Sequence, residues 1–499
     1  MSIILLVIDT LRYDYVGANG NDRVRTPNLD RLAARSWCFD CAFTSSYPTI
    51  PNRRDIITGK YGGPFHPWQP LPHGDVTFPW LLAEAGYATQ LMHDTPHLVS
   101  GGHNFDWPFH AWRFIRGAEV DRPWIRSLKR HPENWTRDPL FDFVTDEQFE
   151  KSNFMTYAFA NCDRRKPEEW NCDKLFQAGS EFLRDNANRR NFFLWIDCFD
   201  PHEPWDAPAE FLRMYDQTPG YDGRIDPRSF IGRNDPRLSE AGRERVKAAY
   251  AAKVSWMDRC LGGFLDALEE TGLDKTTAVI LTADHGTNVG ERGSFGKGHP
   301  VRQGEGHVPL FISVPGGARG HSDIIAQPQD LFATILGLAA VPKPRGVDSH
   351  DLISQALQET RGSRDVAIAG RAANGWKGQA DEVLFSVFDR EWCLEWTPEP
   401  EHSRLTHHGA LANVADAHPS VVERLHSEGL EELARRGTDP RLVAWLRERG
   451  HGEFPRDAVF FEGYPGPAGF TPYFNRLYKE PSTLTRPAAG DAAPSLGRY

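Results

Sequence analysis

No stretch of the chain concentrates Lys and Arg enough to follow a nucleic-acid backbone. Asp and Glu outnumber Lys and Arg, 68 to 57, for a net charge of −11 and a pI near 6.0. That balance excludes a phosphate-backbone footprint. Cysteine is scarce, seven in 499 residues. Cys38 and Cys41 form one CxxC with no second CxxC to complete a zinc site, so reduced core thiols are expected. No apolar run reaches bilayer-spanning length, and no membrane partner is expected. The opening Met1 to Asp9 lacks a basic n-region and a small-residue cleavage site after its short apolar run. It reads as a buried first strand of a cytoplasmic enzyme. No internal repeat is present.

What remains is the composition of a globular protein, 40% hydrophobic and 25% charged, with 44 Gly and 37 Pro spread over many turns. The length exceeds what one core usually fills, which predicts a large domain and a smaller one. Continuous apolar runs at Ile3 to Ile8, Tyr87 to Met92, Phe192 to Ile196, Ala278 to Thr282 and Val308 to Val314 suit strands buried on both faces. Helical patterns lie between them at residues 28–34, 80–85, 172–185 and 243–270. The last repeats Val254, Met257, Leu261, Phe264, Leu265 and Leu268, then stops at Thr271-Gly272. The expected fold is α/β, a doubly wound, mostly parallel sheet flanked by helices, with a smaller C-terminal α+β lobe. Residues 1–365 form the catalytic domain in this reading. Within it, 102–172 is an insertion near the site mouth, 366–480 is the lobe, and 481–499 is a tail.

Three segments put chemistry where strands end. Asp9 follows an apolar strand and is costly to bury unless it binds a metal or caps a helix; that segment alone leaves both open. Asp284-His285-Gly286 ends another strand. By itself such a pair is usually structural, but two strand-end carboxylates converging on one sheet edge would repel without a cation. Oxygen and nitrogen donors together suit Mn²⁺ or Zn²⁺. In Thr49-Ile50-Pro51-Asn52-Arg53, Pro51 sits just inside a helix start, so Thr49 is either a simple N-cap or a hydroxyl beside an anion-binding helix terminus. Arg53, one turn on, could face the same anion.

Together with Asp9-Thr10-Leu11-Arg12-Tyr13-Asp14, Thr26-Pro27-Asn28-Leu29-Asp30-Arg31-Leu32-Ala33, Ala85-Gly86-Tyr87, Asp200-Pro201-His202, Gly296-Lys297-Gly298 and Val308-Pro309-Leu310, these segments stand in a recognisable order. The chain resembles the sulfatase-like branch of the alkaline phosphatase superfamily. The resemblance implies a metal held by Asp9, Asp284 and His285, with Thr49 as nucleophile at the metal and Arg53 beside it. It implies His202 as the leaving-group histidine and Lys297 as the lysine on the anionic ester. A single divalent ion is favoured, Mn²⁺ or Zn²⁺ before Ca²⁺ or Mg²⁺. Asp197, Asp200 and His202 could supply half of a second site.

The departures from the family pattern carry more information. Sulfatases have Cys or Ser at the position of Thr49 and oxidise it to formylglycine; threonine cannot give that aldehyde. A sulfo-threonine would be hard to release, whereas a phospho-threonine yields to activated water. Thr10 replaces a second Asp, and His93-Asp94-Thr95-Pro96-His97 replaces a segment bearing a sulfate-binding lysine. Thr10, His93, Asp94, Thr95, His97 and His299 are therefore the candidates for contact with substrate. The expected activity is hydrolysis of phosphate mono- or diesters, or phosphonate monoesters, on a small anionic substrate. The alternatives are sulfate ester hydrolysis, phosphotransfer, or anion binding without catalysis. A homo-oligomer is left open.

Overall fold

The computed structural model describes residues 1–63, 68–100, 102–119, 121, 137–152, 154–161, 164, 166–298, 300–358, 362–371 and 385–448. His299, the tail after Pro481, and parts of the expected insertion and C-terminal lobe lie outside the described residues.

An eight-stranded sheet organises the larger part. In space the order is Gly320–Ala326, Trp37–Ala42, Leu310–Ser313, Thr277–Thr282, Ser2–Ile8, Phe192–Cys198, Ala88–His93 and Ala111–Phe114. Every pairing is parallel except those of Leu310–Ser313, which runs antiparallel to both neighbours. Ser2–Ile8 is central and wholly buried, as its unbroken apolar run requires. The five apolar runs of the sequence are all strands here. Trp37–Ala42 and Gly320–Ala326 escaped that reading because their burial is interrupted and no continuous apolar run marks them.

Helices pack in two groups beside this sheet. The 31-residue helix Glu240–Glu270 lies against Asn171–Asp185 and Pro27–Ala33. Ser239 caps its start by accepting from the Gly242 N–H at 3.1 Å. At its other end the chain turns through Gly272, whose φ of 71° favours glycine. Val254, Met257, Leu261, Phe264, Leu265 and Leu268 are fully buried, each contributing about 1.5–3 kcal/mol. The second group joins Thr49–Thr58, Phe78–Glu84 and Asp330–Leu338, with Phe78 packed edge-on against Phe332.

A second sheet has the order Arg404–His407, Trp392–Trp396, Phe385–Phe388, Ala367–Arg371, Ser46–Tyr47. The helices Pro419–Arg435 and Pro440–Arg447 close its core through Val422, Leu425, Leu433 and Leu446. Its edge strand comes from far earlier in the chain: Ser46 pairs with Gly370 and Tyr47 with Arg371. The smaller sheet thus reaches to within two residues of Thr49, a link that no local pattern announced. The six described cysteines are buried free thiols. Among the described residues, no helix is long and apolar enough to cross a membrane.

Candidate active site

Parallel register brings the polar residues together. Val7 pairs with Thr282 on one side and with Asp197 on the other, so Asp9, Asp197 and Asp284 emerge along one sheet edge. The Asp9 N–H donates to the Cys198 carbonyl at 2.8 Å, extending the ladder by one residue. Thr10 then turns with a φ of 61°, uncommon for a β-branched residue. Its N–H donates to Asp284 Oδ1 at 3.1 Å, and the His285 N–H reaches the same oxygen at 2.7 Å.

Asp9, Asp284 and His285 are fully buried, and their donor atoms lie within 4.8 Å of one another. His285 donates from Nδ1 to the Gly286 carbonyl at 2.7 Å, which leaves the Nε2 lone pair bare. Burial pushes the imidazole down to about 3, so it is a neutral donor at physiological pH. Asp9 Oδ1, Thr10 Oγ1 and His285 Nε2 are buried with no hydrogen-bond partner. Orphaned donors and acceptors of this kind are rare in a folded interior, and here they fit a divalent cation. Gly286 has no space for a side chain, since a Cβ would stand 2.0 Å from the Gly304 carbonyl oxygen.

Arg53 occupies the centre of the acidic group with no solvent exposure. It donates from Nε and Nη2 to the two oxygens of Asp197 at 3.0 and 2.9 Å, from Nη2 to Asp9 at 3.1 Å, and from Nη1 to Asp284. Burial alone would raise the Asp284 carboxyl, but Arg53, His285 and the two N–H groups hold it below its usual range. Asp9 is pushed well up by burial and by the charge of Asp284. With all three carboxylates ionised against one guanidinium, two negative charges are left over, which a divalent cation would neutralise.

Arg53 reaches this position from the helix Thr49–Thr58, buried along most of its length. Asn52 anchors the same helix by donating to the Asp284 carbonyl at 2.9 Å. Thr49, 1% exposed, begins the helix, four residues before Arg53 and therefore on the same helical side.

His202 and Lys297 meet in a second cluster. His202 donates from Nδ1 to the Glu203 carbonyl at 2.6 Å, and its Nε2 accepts from Lys297 Nζ at 2.5 Å. Burial lowers the His202 pKa despite Glu203 nearby. The remaining candidates are distributed differently from a simple pocket wall. Thr95 donates to Asp197 at 2.6 Å, holding the carboxylate that grips Arg53. His93 is buried against the Phe114 ring at 4.8 Å, and burial brings it down to about 4. Asp94 accepts from the Phe199 N–H at 2.7 Å, and His97 pairs with Glu119 at 2.9 Å. His299 falls outside the described residues.

The second metal site considered from sequence is not assembled. Asp197 belongs to Arg53, and Asp200 pairs with Lys253 at 3.0 Å. Among the described residues, the only group arranged for a metal is Asp9, Asp284 and His285. The sequence reading favoured a single metal and kept Asp197 only as part of a possible second site, and it missed the grip of Asp197 on Arg53. Its signal was there, a carboxylate closing the apolar run Phe192 to Ile196, the same pattern that marked Asp9.

The α/β sheet thus carries a buried oxygen and nitrogen donor set at its carboxyl edge, with Arg53 among its carboxylates and Lys297 on His202, an arrangement that a divalent cation would fit. Residues 2–341 match the sulfatase family model, and the chain belongs to the sulfatase family of the alkaline phosphatase superfamily. Its members are divalent-metal hydrolases of sulfate or phosphate esters. The chain is 26% identical over 396 residues to an arylsulfatase of Clostridium perfringens, covering 71% of this chain and 78% of the relative. It is 25% identical over 416 residues to iduronate 2-sulfatase of Mus musculus, covering 69% of each. The fold is similar to that of a phosphonate monoester hydrolase from Silicibacter pomeroyi, with a TM-score of 0.67 at 23% identity, over 87% of this chain and 95% of that one.

Chelation should therefore abolish turnover. Dialysis against EDTA is expected to remove activity, and one equivalent of a divalent ion, measured by elemental analysis, to restore it. Full turnover in metal-free protein would contradict the donor set.

Proposed function

We propose that the chain hydrolyses phosphate mono- or diesters, or phosphonate monoesters, through a covalent phospho-Thr49 intermediate. The supporting observation is the shared helix side of Thr49 and Arg53, with Arg53 in contact with Asp9 and Asp284. In this reading Asp9, Asp284, His285 and the Thr49 oxygen hold the metal. The cation, when bound, lowers the hydroxyl pKa and offsets charge on the ester.

The chain's own residues do the rest. Thr49 attacks from the first turn of its helix, where free N–H groups favour an anion. Lys297 holds the ester oxygens, and Arg53 stabilises negative charge as it develops. His202 hands a proton to the departing oxygen. The Lys297–His202 pair, joined between Nζ and Nε2, shares the one proton that His202 delivers, and the water that later hydrolyses phospho-Thr49 returns a proton to the pair. In this reading Thr10 stands beside the metal donors, and Thr95 supports the site through its hydrogen bond to Asp197. The partner is a small anionic ester, with neither nucleic acid nor membrane involved, and a homo-oligomer is compatible with this chemistry. The division at residues 365 and 366 and a cytoplasmic location belong to the same proposal.

A second reading, sulfate ester hydrolysis, is favoured by the names of the sequence relatives, an arylsulfatase and an iduronate 2-sulfatase. The comparison that separates the two uses one aryl group carried as phosphate monoester, phosphate diester, phosphonate monoester and sulfate, with Mn²⁺ and then Zn²⁺ present. A phosphorus ester is expected to have the highest kcat/KM. Sulfate exceeding all three would overturn the preference.

A further inference from the structure

Glu305 is a fully buried carboxylate that the catalytic reading does not use. It sits in the short turn Gln303–Gly306, and its Oε1 accepts from the Tyr47 hydroxyl at 2.8 Å and from the Gly298 N–H at 2.5 Å. Oε2 accepts from the Arg302 N–H at 3.2 Å. Its own carbonyl accepts from the Gly286 N–H at 2.7 Å.

Three of those partners lie within two residues of the site. Tyr47 precedes Pro48 and Thr49, and its ring lies 4.7 Å from that of His285. Gly298 follows Lys297. Gly286 follows His285 and accepts its Nδ1 proton. Tyr47, from far earlier in the chain, and the nearby Gly286 and Gly298 thus meet at Glu305, tying it to the residues around Thr49, His285 and Lys297. Among the described residues Glu305 has no ion-pair partner closer than 4.0 Å. A buried carboxylate without a counter-charge is costly, which argues for a role beyond packing.

We propose that Glu305 is a positioning residue for ester hydrolysis, locking the turn that carries Thr49 to the loop that carries Lys297 through Tyr47 and Gly298. It touches no reacting atom. Its effect is to fix the distance between nucleophile and anion-holding lysine, where an error of about 1 Å costs roughly 100-fold in rate. The small C-terminal sheet shares in this, because Tyr47 is held on its other side by pairing with Arg371.

The inference rests on the ester-hydrolase class and not on the preference for phosphorus. The test accordingly uses whichever aryl ester the native enzyme turns over fastest, with the matching inorganic anion, phosphate or sulfate, as inhibitor. Sulfate as the fastest substrate would sink the preference and leave this comparison intact. Glu305→Leu is expected to lower kcat about 100-fold and to weaken inhibition by the anion about 10-fold. Glu305→Gln, which keeps an oxygen for Tyr47 and Gly298, should recover most of both. Tyr47→Phe, removing one hydroxyl, should lower kcat about 10-fold with bound metal and melting temperature unchanged. Adding Tyr47→Phe to Glu305→Leu should cost little more, since both break one link. If Glu305→Leu fails to fold, Tyr47→Phe decides alone. Native kcat and native anion affinity in folded Tyr47→Phe would overturn the proposal, as would full additivity of the pair.

Discussion

Thr49→Ala is expected to reduce kcat on an aryl phosphate by roughly 10⁴-fold or more, the scale on which removal of a nucleophile acts. The residue is 1% exposed and begins a helix, so a methyl group fills its place without a cavity of consequence. Loss of stability would therefore be small beside the loss of rate. Thr49→Ser keeps the hydroxyl at the same helix terminus and should retain measurable turnover. Rapid acid quench of the native enzyme with substrate should show phosphate on Thr49 by mass spectrometry, and Thr49→Ala should show none. Alanine at this position with native turnover would end the covalent mechanism, whatever the ester preference.

Arg53→Ala should produce the largest loss of stability. The change leaves Asp9, Asp197 and Asp284 facing one another in a dry interior, and breaking buried pairs of this kind costs about 3–5 kcal/mol. Urea unfolding should show the loss most clearly in metal-free protein. Saturating Mn²⁺ should recover part of it, because the cation supplies the charge the guanidinium gave. The pH dependence also inverts. With Arg53 present, Asp284 has a depressed folded pKa and contributes stability above its unfolded value, lost as pH falls through the folded one. Without Arg53, burial raises that carboxyl, so stability is present at low pH and lost as pH rises through the raised value. The metal-free variant should therefore be more stable at pH 5 than at pH 8. A variant as stable as the native chain at pH 8 would refute this account of the acidic group.

Much of the architecture was legible before any coordinates. The runs at Ile3 to Ile8 and Ala278 to Thr282 suited strands buried on both faces, and both are such strands in the structure. The period in residues 243–270 marked a helix, and the structure added that residues 248–258 are buried on every side of it. Asp9, Asp284 and His285 stood out as costly residues placed directly after such strands, and the structure does gather them. The edge strand Ala111–Phe114 was not legible, since it is four residues long, largely exposed and set in a segment without a clear period. Nor was the strand Ser46–Tyr47, too short to show a period at all.

By itself, then, the sequence determined which segments are buried and which polar residues close them, because burial leaves a periodic mark on neighbouring residues. Tertiary structure alone decided who partners whom. It gave Asp197 to Arg53 and Asp200 to Lys253 instead of to a second metal, and it brought Glu305 to Tyr47 across 258 residues of chain. A carboxylate's choice among cation, guanidinium and hydroxyl depends on which strand ends and turns meet in space. Local composition holds no record of that meeting.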